Sequence, residues 1–196
     1  MNNQLIVPPA GLFQARRRAL SLSGSVLSGA AVAMLGGRDA LAAGSKVSPA
    51  ELEADIRILN TALGAELEAI AAYQVGAESG LLTPGVKPVA LQFQGHHKEH
   101  ATALAGAVQK LGGKPVAAKE KYTFPVEKLK TQTDVLRFAA GLEKGAISAY
   151  LGAVPLFADR TLSQVAASIL GDEAMHWAVL RQVIGESPAV PSAFMS

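Results

Sequence analysis

The sequence predicts an all-α fold, a bundle of four helices, and three observations carry that prediction. Apolar residues make up 49% of the chain and aromatic residues only 5%. Alanine and leucine are abundant and β-branched clusters are sparse, a balance that favours helices over sheets. Four long segments repeat their apolar residues at alternating spacings of four and three, the period of one helix face. Clusters of glycine and proline separate these segments at intervals that suit two hairpins and one long connection.

The first 42 residues differ from the rest. Arg16, Arg17 and Arg18 precede a weakly apolar stretch, ALSLSGSVLSGAAVAMLGG, and Ala40-Leu41-Ala42 offers a small-x-small cleavage site. Residues 1–42 are therefore expected to be a cleaved export leader, followed by a short linker over 43–47. The arginines resemble those of a twin-arginine signal, with the ordinary secretory route as the alternative. The run is too rich in serine and glycine, and too short, for a membrane anchor. Arg16, Arg17, Arg18, Arg38 and Asp39 leave with the segment, so 14 basic and 15 acidic side chains remain. A mature chain this near neutrality carries neither a nucleic-acid footprint nor a polybasic membrane patch. With no cysteine, disulfides, thiolate metal sites and cysteine nucleophiles are excluded, and any metal must be held by nitrogen and oxygen.

The bundle is expected over residues 48–185. Ser48-Pro49-Ala50-Glu51 reads as a capping box with proline at the first helical position, opening α1, which runs to about Glu78. Gly80, Pro84 and Gly85 make a turn. The second helix, α2, spans about Pro88 to Leu111 and ends at Gly112-Gly113. Residues 114–130 hold two prolines and no sustained stripe, so they read as a connection. The third helix, α3, covers about Gln132 to Val154, where Pro155 stops it. Thr161-Leu162-Ser163-Gln164 reads as a second capping box opening α4, which ends near Gly185. Residues 186–196 read as a flexible tail. The connections α1 to α2 and α3 to α4 are short, so each pair forms an antiparallel hairpin. About 17 residues at roughly 3.3 Å each span the roughly 35 Å length of α2, so α3 starts beside the start of α2. The result is two antiparallel hairpins joined by one long crossover, an arrangement known for bundles that hold metals.

Polar residues interrupt the buried stripes at matching places. On α1 the stripe is Leu52, Ile56, Leu59, Leu63, Glu66, Ile70, Tyr73, Ala77, with a glutamate in its middle. On α3 it is Leu136, Ala140, Glu143, Ile147, Tyr150, Val154, a repeat displaced by 77 positions. The segments GAELEAIAAY and GLEKGAISAY share six of ten positions, including the glutamate and the tyrosine seven residues on. A second pair is displaced by 76: Phe93, His97, His100, Leu104, Val108 on α2, and Ile169, Glu173, His176, Leu180, Ile184 on α4. Burying six such groups unpartnered costs several kcal/mol each, and adjacent carboxylates would protonate. A multivalent cation reverses that penalty. One glutamate from each of α1 and α3 and an i, i+3 pair from each of α2 and α4 suit two hard or borderline ions bridged by carboxylates.

With these residues the chain closely resembles the ferritin-like superfamily of di-iron carboxylate bundles, especially exported bacterial ferritin-like domain proteins, over about residues 48–185. The resemblance implies metal ligation by Glu66, Glu143, Glu173, His176 and His100, and places Tyr73 and Tyr150 at aromatic positions near the metals. His97 is the departure, because the family pattern has glutamate there. Three carboxylates and three histidines neutralise a diferric product less well, which tilts the site towards divalent ions, one tight metal, or loss of iron oxidation. The other i, i+3 pair of α2, His96 and Glu99, shares a face with Gln92, Ala103 and Lys110 and reads as peripheral. Asp172 and His96, each just before an i, i+3 pair, are in place to orient ligating histidines from behind. Phe93 and Trp177 read as packing residues.

The functional expectation is thus a metal-binding protein of the cell envelope, holding Fe in two positions and oxidising Fe(II) with oxygen or peroxide. Two alternatives stay open. One is a structural or stress-related bundle with a vestigial site, and the other is a Zn or Mn binding protein, which the extra histidine favours. The expected partners are metal ions, with the protein a monomer or homodimer.

Overall fold

In the computed structural model, which describes residues 47–191, Ser48 caps α1 (Pro49–Glu78) as its sequence predicts. The Glu51 N–H donates to the Ser48 hydroxyl, and the Ser48 N–H donates to the Glu51 carboxylate, so two N-terminal amides find partners. The expected export leader, nearly all of the linker and residues 192–196 of the tail lie outside the described residues.

Three more helices follow: α2 (Lys87–Lys110), α3 (Gln132–Ala153) and α4 (Arg160–Ile184), with short 3-10 turns at Val126–Lys128 and Val154–Leu156. No strand occurs among the described residues. The start of α3 falls where the sequence expects it, and that of α4 differs. Helix α3 has a capping box of its own, Thr131 with Asp134. Helix α4 does not use the expected Thr161 box. Its N-cap is Asp159, whose carboxylate accepts from the Thr161 N–H at 2.7 Å. The reason lies in α1, where the buried Asp55 accepts from the N–H groups of Ala158 and Asp159 at 2.9 and 3.0 Å. That grip sets where the chain turns into the helix, and Asp159 then stands at the extended position before it.

The helices pair as α1 with α2 and α3 with α4, the two hairpins expected from the short turns. Residue Gly112 ends α2 with φ +80°, a conformation that favours glycine. At Gly113 a Cβ would meet Ile56 at 2.8 Å and Val108 at 3.0 Å, so the chain leaves the hairpin pressed against it. Asn60 then pins the start of the crossover, donating to the Lys114 carbonyl at 3.1 Å and accepting from the Val116 N–H at 2.8 Å.

The apolar core falls into two clusters. One gathers Leu59, Leu63, Leu104, Tyr150, Leu162 and Ile169, and the other Tyr73, Phe93, Leu136, Ile147, Trp177 and Leu180. Within this core each helix carries polar residues on its buried face: Glu66 on α1, His97 and His100 on α2, Glu143 on α3, Glu173 and His176 on α4. The predicted stripes are the buried faces, and their polar members fall in one layer of the core.

Candidate metal centre

All six of these side chains are buried, Glu143 and Glu173 completely. Each sits on the apolar face of its helix because it occupies a stripe position, so burying the stripe carries it inward. They meet. His97 Nδ1 lies 2.8 Å from Glu66 Oε2 and 3.5 Å from Glu173 Oε1, and His97 Nε2 lies 3.3 Å from Glu143 Oε1. His100 Nδ1 is 3.0 Å from Glu173 Oε1, and His176 Nδ1 is 3.1 Å from Glu173 Oε2 and 3.6 Å from Glu143 Oε2. Two quartets can each present four donor atoms within 4.8 Å of one another: Glu66, His97, His100, Glu173, and His97, Glu143, Glu173, His176. His97 and Glu173 belong to both.

The donor atoms are not all spoken for. His100 Nδ1, Glu143 Oε2 and Glu173 Oε1 are buried without a hydrogen-bond partner; the close approach of His100 Nδ1 to Glu173 Oε1 is not aligned as a hydrogen bond. Orphaned polar atoms at full burial are costly in a folded protein. Here the three, one imidazole nitrogen and two carboxylate oxygens, belong to members of the two quartets, and nitrogen and oxygen donors of this kind fit divalent iron, manganese or zinc.

The outward sides of the ring are held in place. The Tyr150 hydroxyl donates to Glu66 Oε1 at 2.6 Å, and the Tyr73 hydroxyl donates to Glu143 Oε1. The tyrosine of each repeat therefore holds the glutamate of the other. His100 Nε2 is 3.2 Å from Asp172 Oδ2, and His176 Nε2 is 2.8 Å from His96 Nδ1. Asp172 and His96 thus stand behind the two histidines, leaving both Nδ1 atoms directed inward. His96 is half-buried and joins the centre through this contact, whereas Glu99 is exposed, so the peripheral reading of that pair holds for the glutamate alone. Phe93 stacks on His176 with centroids 4.1 Å apart. Asp55 was not anticipated, although an acid one residue from Ile56 on the buried side of α1 was the available signal.

Charge within the ring is arranged by proximity. Burial alone would raise the Glu66 carboxyl, but the adjacent imidazoles of His100 and His97 and the Tyr150 hydroxyl bring it down to about 2. Burial would likewise lower His97 and His100, yet the carboxylates around them, Glu143 and Glu66 at His97 and Glu173 and Glu66 at His100, hold both up at about 10. The same opposition raises His176 and lowers Glu143. Burial, then the adjacent Glu143, keeps the Tyr73 proton in place, and burial with Glu66 does so for Tyr150. Protons on the imidazoles stand where cations would otherwise sit.

A sequence model of the ferritin-like domain matches residues 54–186. Among solved structures, a conserved hypothetical protein from Mycobacterium tuberculosis is 21% identical, with 67% of this chain and 97% of that one aligned at a TM-score of 0.62. A ferritin-like diiron-carboxylate protein from Bacillus anthracis is also 21% identical, over 68% of this chain and 97% of that one, with a TM-score of 0.59. The bacterioferritin of Desulfovibrio desulfuricans, described with a diiron site, is 18% identical over 74% of this chain and 94% of that one, with a TM-score of 0.63. No significant match is found among curated protein sequences.

Proposed function

Because the chain belongs to the ferritin-like domain family, we propose that its buried centre binds a pair of metal ions, iron foremost. Glu66 and His100 would hold one and Glu143 and His176 the other, while His97 and Glu173 belong to both quartets. The observation that carries this reading is the pair of overlapping donor quartets, with buried donor atoms left unpartnered inside both. Fe(II) bound there as substrate would be oxidised to Fe(III), each ion giving one electron to oxygen or peroxide as the oxidant. The residues of the chain do the remaining work. The tyrosines and the partners behind the histidines fix the donors. The third histidine supports a second reading, that zinc or manganese is the resident ion, because imidazole is a better ligand for them than for ferric iron. The same proposal takes residues 1–42 as a leader that brings the protein to the cell envelope.

Metal analysis of the protein purified without a histidine tag, beside Glu143→Ala and His176→Ala, tests the centre. Both variants should lose bound metal at least tenfold while circular dichroism stays helical. Full metal content in both would end the proposal. Anaerobic Fe(II) loading followed by air then separates the metals, since a ferric absorption band should grow only if iron is oxidised there.

A further inference from the structure

His97 belongs to both quartets, yet it can complete only one of them. A neutral imidazole has one lone pair and one N–H, so the ring gives one nitrogen to an ion and donates its hydrogen from the other. Nδ1 has Glu66 Oε2 at 2.8 Å, whereas Nε2 has Glu143 Oε1 at 3.3 Å, an oxygen that already accepts from the Tyr73 hydroxyl. The hydrogen therefore belongs on Nδ1, where the shorter contact to a carboxylate makes the stronger bond. The lone pair of Nε2 is left on the Glu143 side.

The two positions then differ. On the Glu143 side His97 Nε2 joins Glu143 Oε2, which is buried without a partner, and Glu173 Oε2 and His176 Nδ1, which lie 3.1 Å apart. Four such donors close the coordination of an ion. On the other side both Glu66 oxygens already accept hydrogen bonds, Oε1 from Tyr150 and Oε2 from His97. With the His97 lone pair turned away, Glu66, His100 and Glu173 remain, and an ion held by three residues keeps an open position. Asp172, 3.2 Å behind His100, makes that imidazole a better donor but adds no fourth one. The surroundings agree with this division. Where α1 and α3 part lies a cavity of about 590 Å³, lined by Glu66 and His97 and by none of Glu143, Glu173 and His176. Its lining includes Leu156, 66% exposed, so it reaches the surface on the side that lacks a fourth donor.

We propose that His97 makes the centre unequal: His97, Glu143, Glu173 and His176 enclose a resident ion, while Glu66, His100 and Glu173 hold an exchangeable one beside the cavity. The two-ion reading above is its premise.

The test is calorimetric titration of the full chain, stripped of metal, with Zn(II). Two steps should appear, the first at least tenfold tighter than the second. Glu66→Gln should weaken the second step tenfold or more and leave the first within threefold. Asp172→Asn, at a half-exposed side chain, should likewise weaken only the second step, by about tenfold. His97→Glu supplies one oxygen to each position and should narrow the gap between the steps at least tenfold. A single step, or two of equal affinity as a ring shared between both ions would give, overturns the proposal. So does loss of the first step in Glu66→Gln or Asp172→Asn, or an unchanged gap in His97→Glu. Those outcomes leave metal binding itself standing, whereas a chain that takes up no zinc overturns the metal reading as well.

Discussion

His97 lies within 3.5 Å of all three carboxylates of the centre, with one ring nitrogen facing Glu66 and Glu173 and the other facing Glu143. Without metal it is a proton carrier: the surrounding carboxylates hold His97 and His100 at about 10, above the ordinary 6.5. A metal needs the neutral ring, so loading expels protons that these residues keep at neutral pH. The sign follows. As pH falls protons compete better, and as it rises towards 10 the competition fades. Metal affinity should climb roughly tenfold per pH unit for each proton expelled, so about a hundredfold per unit if both rings lose one. Competition titration with a chelator between pH 6 and 8 measures that slope, and a flat profile would show that the rings are already neutral. All six residues at the centre could be read from the sequence, because each replaces an apolar residue at a stripe position. Asp55 could not be assigned its partners, since the amides it accepts from lie more than 100 positions away.

Asp55 matters to the helices it joins. One carboxylate on α1 takes two amides of the chain entering α4, so the second hairpin is locked to the first at its turn. Asp55→Ala would leave both amides without that acceptor at a half-buried site. The expected loss is about 2 kcal/mol, set by hydrogen bonds to a charged group, read by urea unfolding of metal-free protein. A loss under about 0.5 kcal/mol would mean that water replaces the carboxylate. Helix extents were largely legible, because proline, glycine and the periodic stripe are local signals. The start of α4 was not. Thr161 to Gln164 satisfies the capping pattern, but the contact from Asp55 chooses Asp159, and no local rule contains a distant contact.

Taken as a whole, the molecule is an apolar bundle cut by a polar layer, with a cluster of Leu and Ile on one side and Tyr73, Phe93 and Trp177 on the other. Such a layer weakens the bundle unless something satisfies its donors. Metal at about a hundred times its dissociation constant adds roughly 2.7 kcal/mol. For a chain of this size that amounts to about 5–10 °C in melting temperature. Removing metal with a chelator should therefore lower the calorimetric midpoint by that order, and restoring Fe(II) or Zn(II) should recover it. An unchanged midpoint would favour a polar core that is stable without metal. Among the described residues no helix is long and apolar enough to cross a membrane.

Composition and periodicity were enough to establish four helices, their order, the hairpins and the inward faces, because helix period and chain reach are local properties that need no knowledge of neighbours. Only the folded arrangement decided that Tyr73 holds Glu143 while Tyr150 holds Glu66, that His96 stands behind His176, and that α1 and α3 part to form a groove. Those contacts depend on the rotation and splay of one helix against another. Packing of the entire bundle sets such angles, and no single segment encodes them.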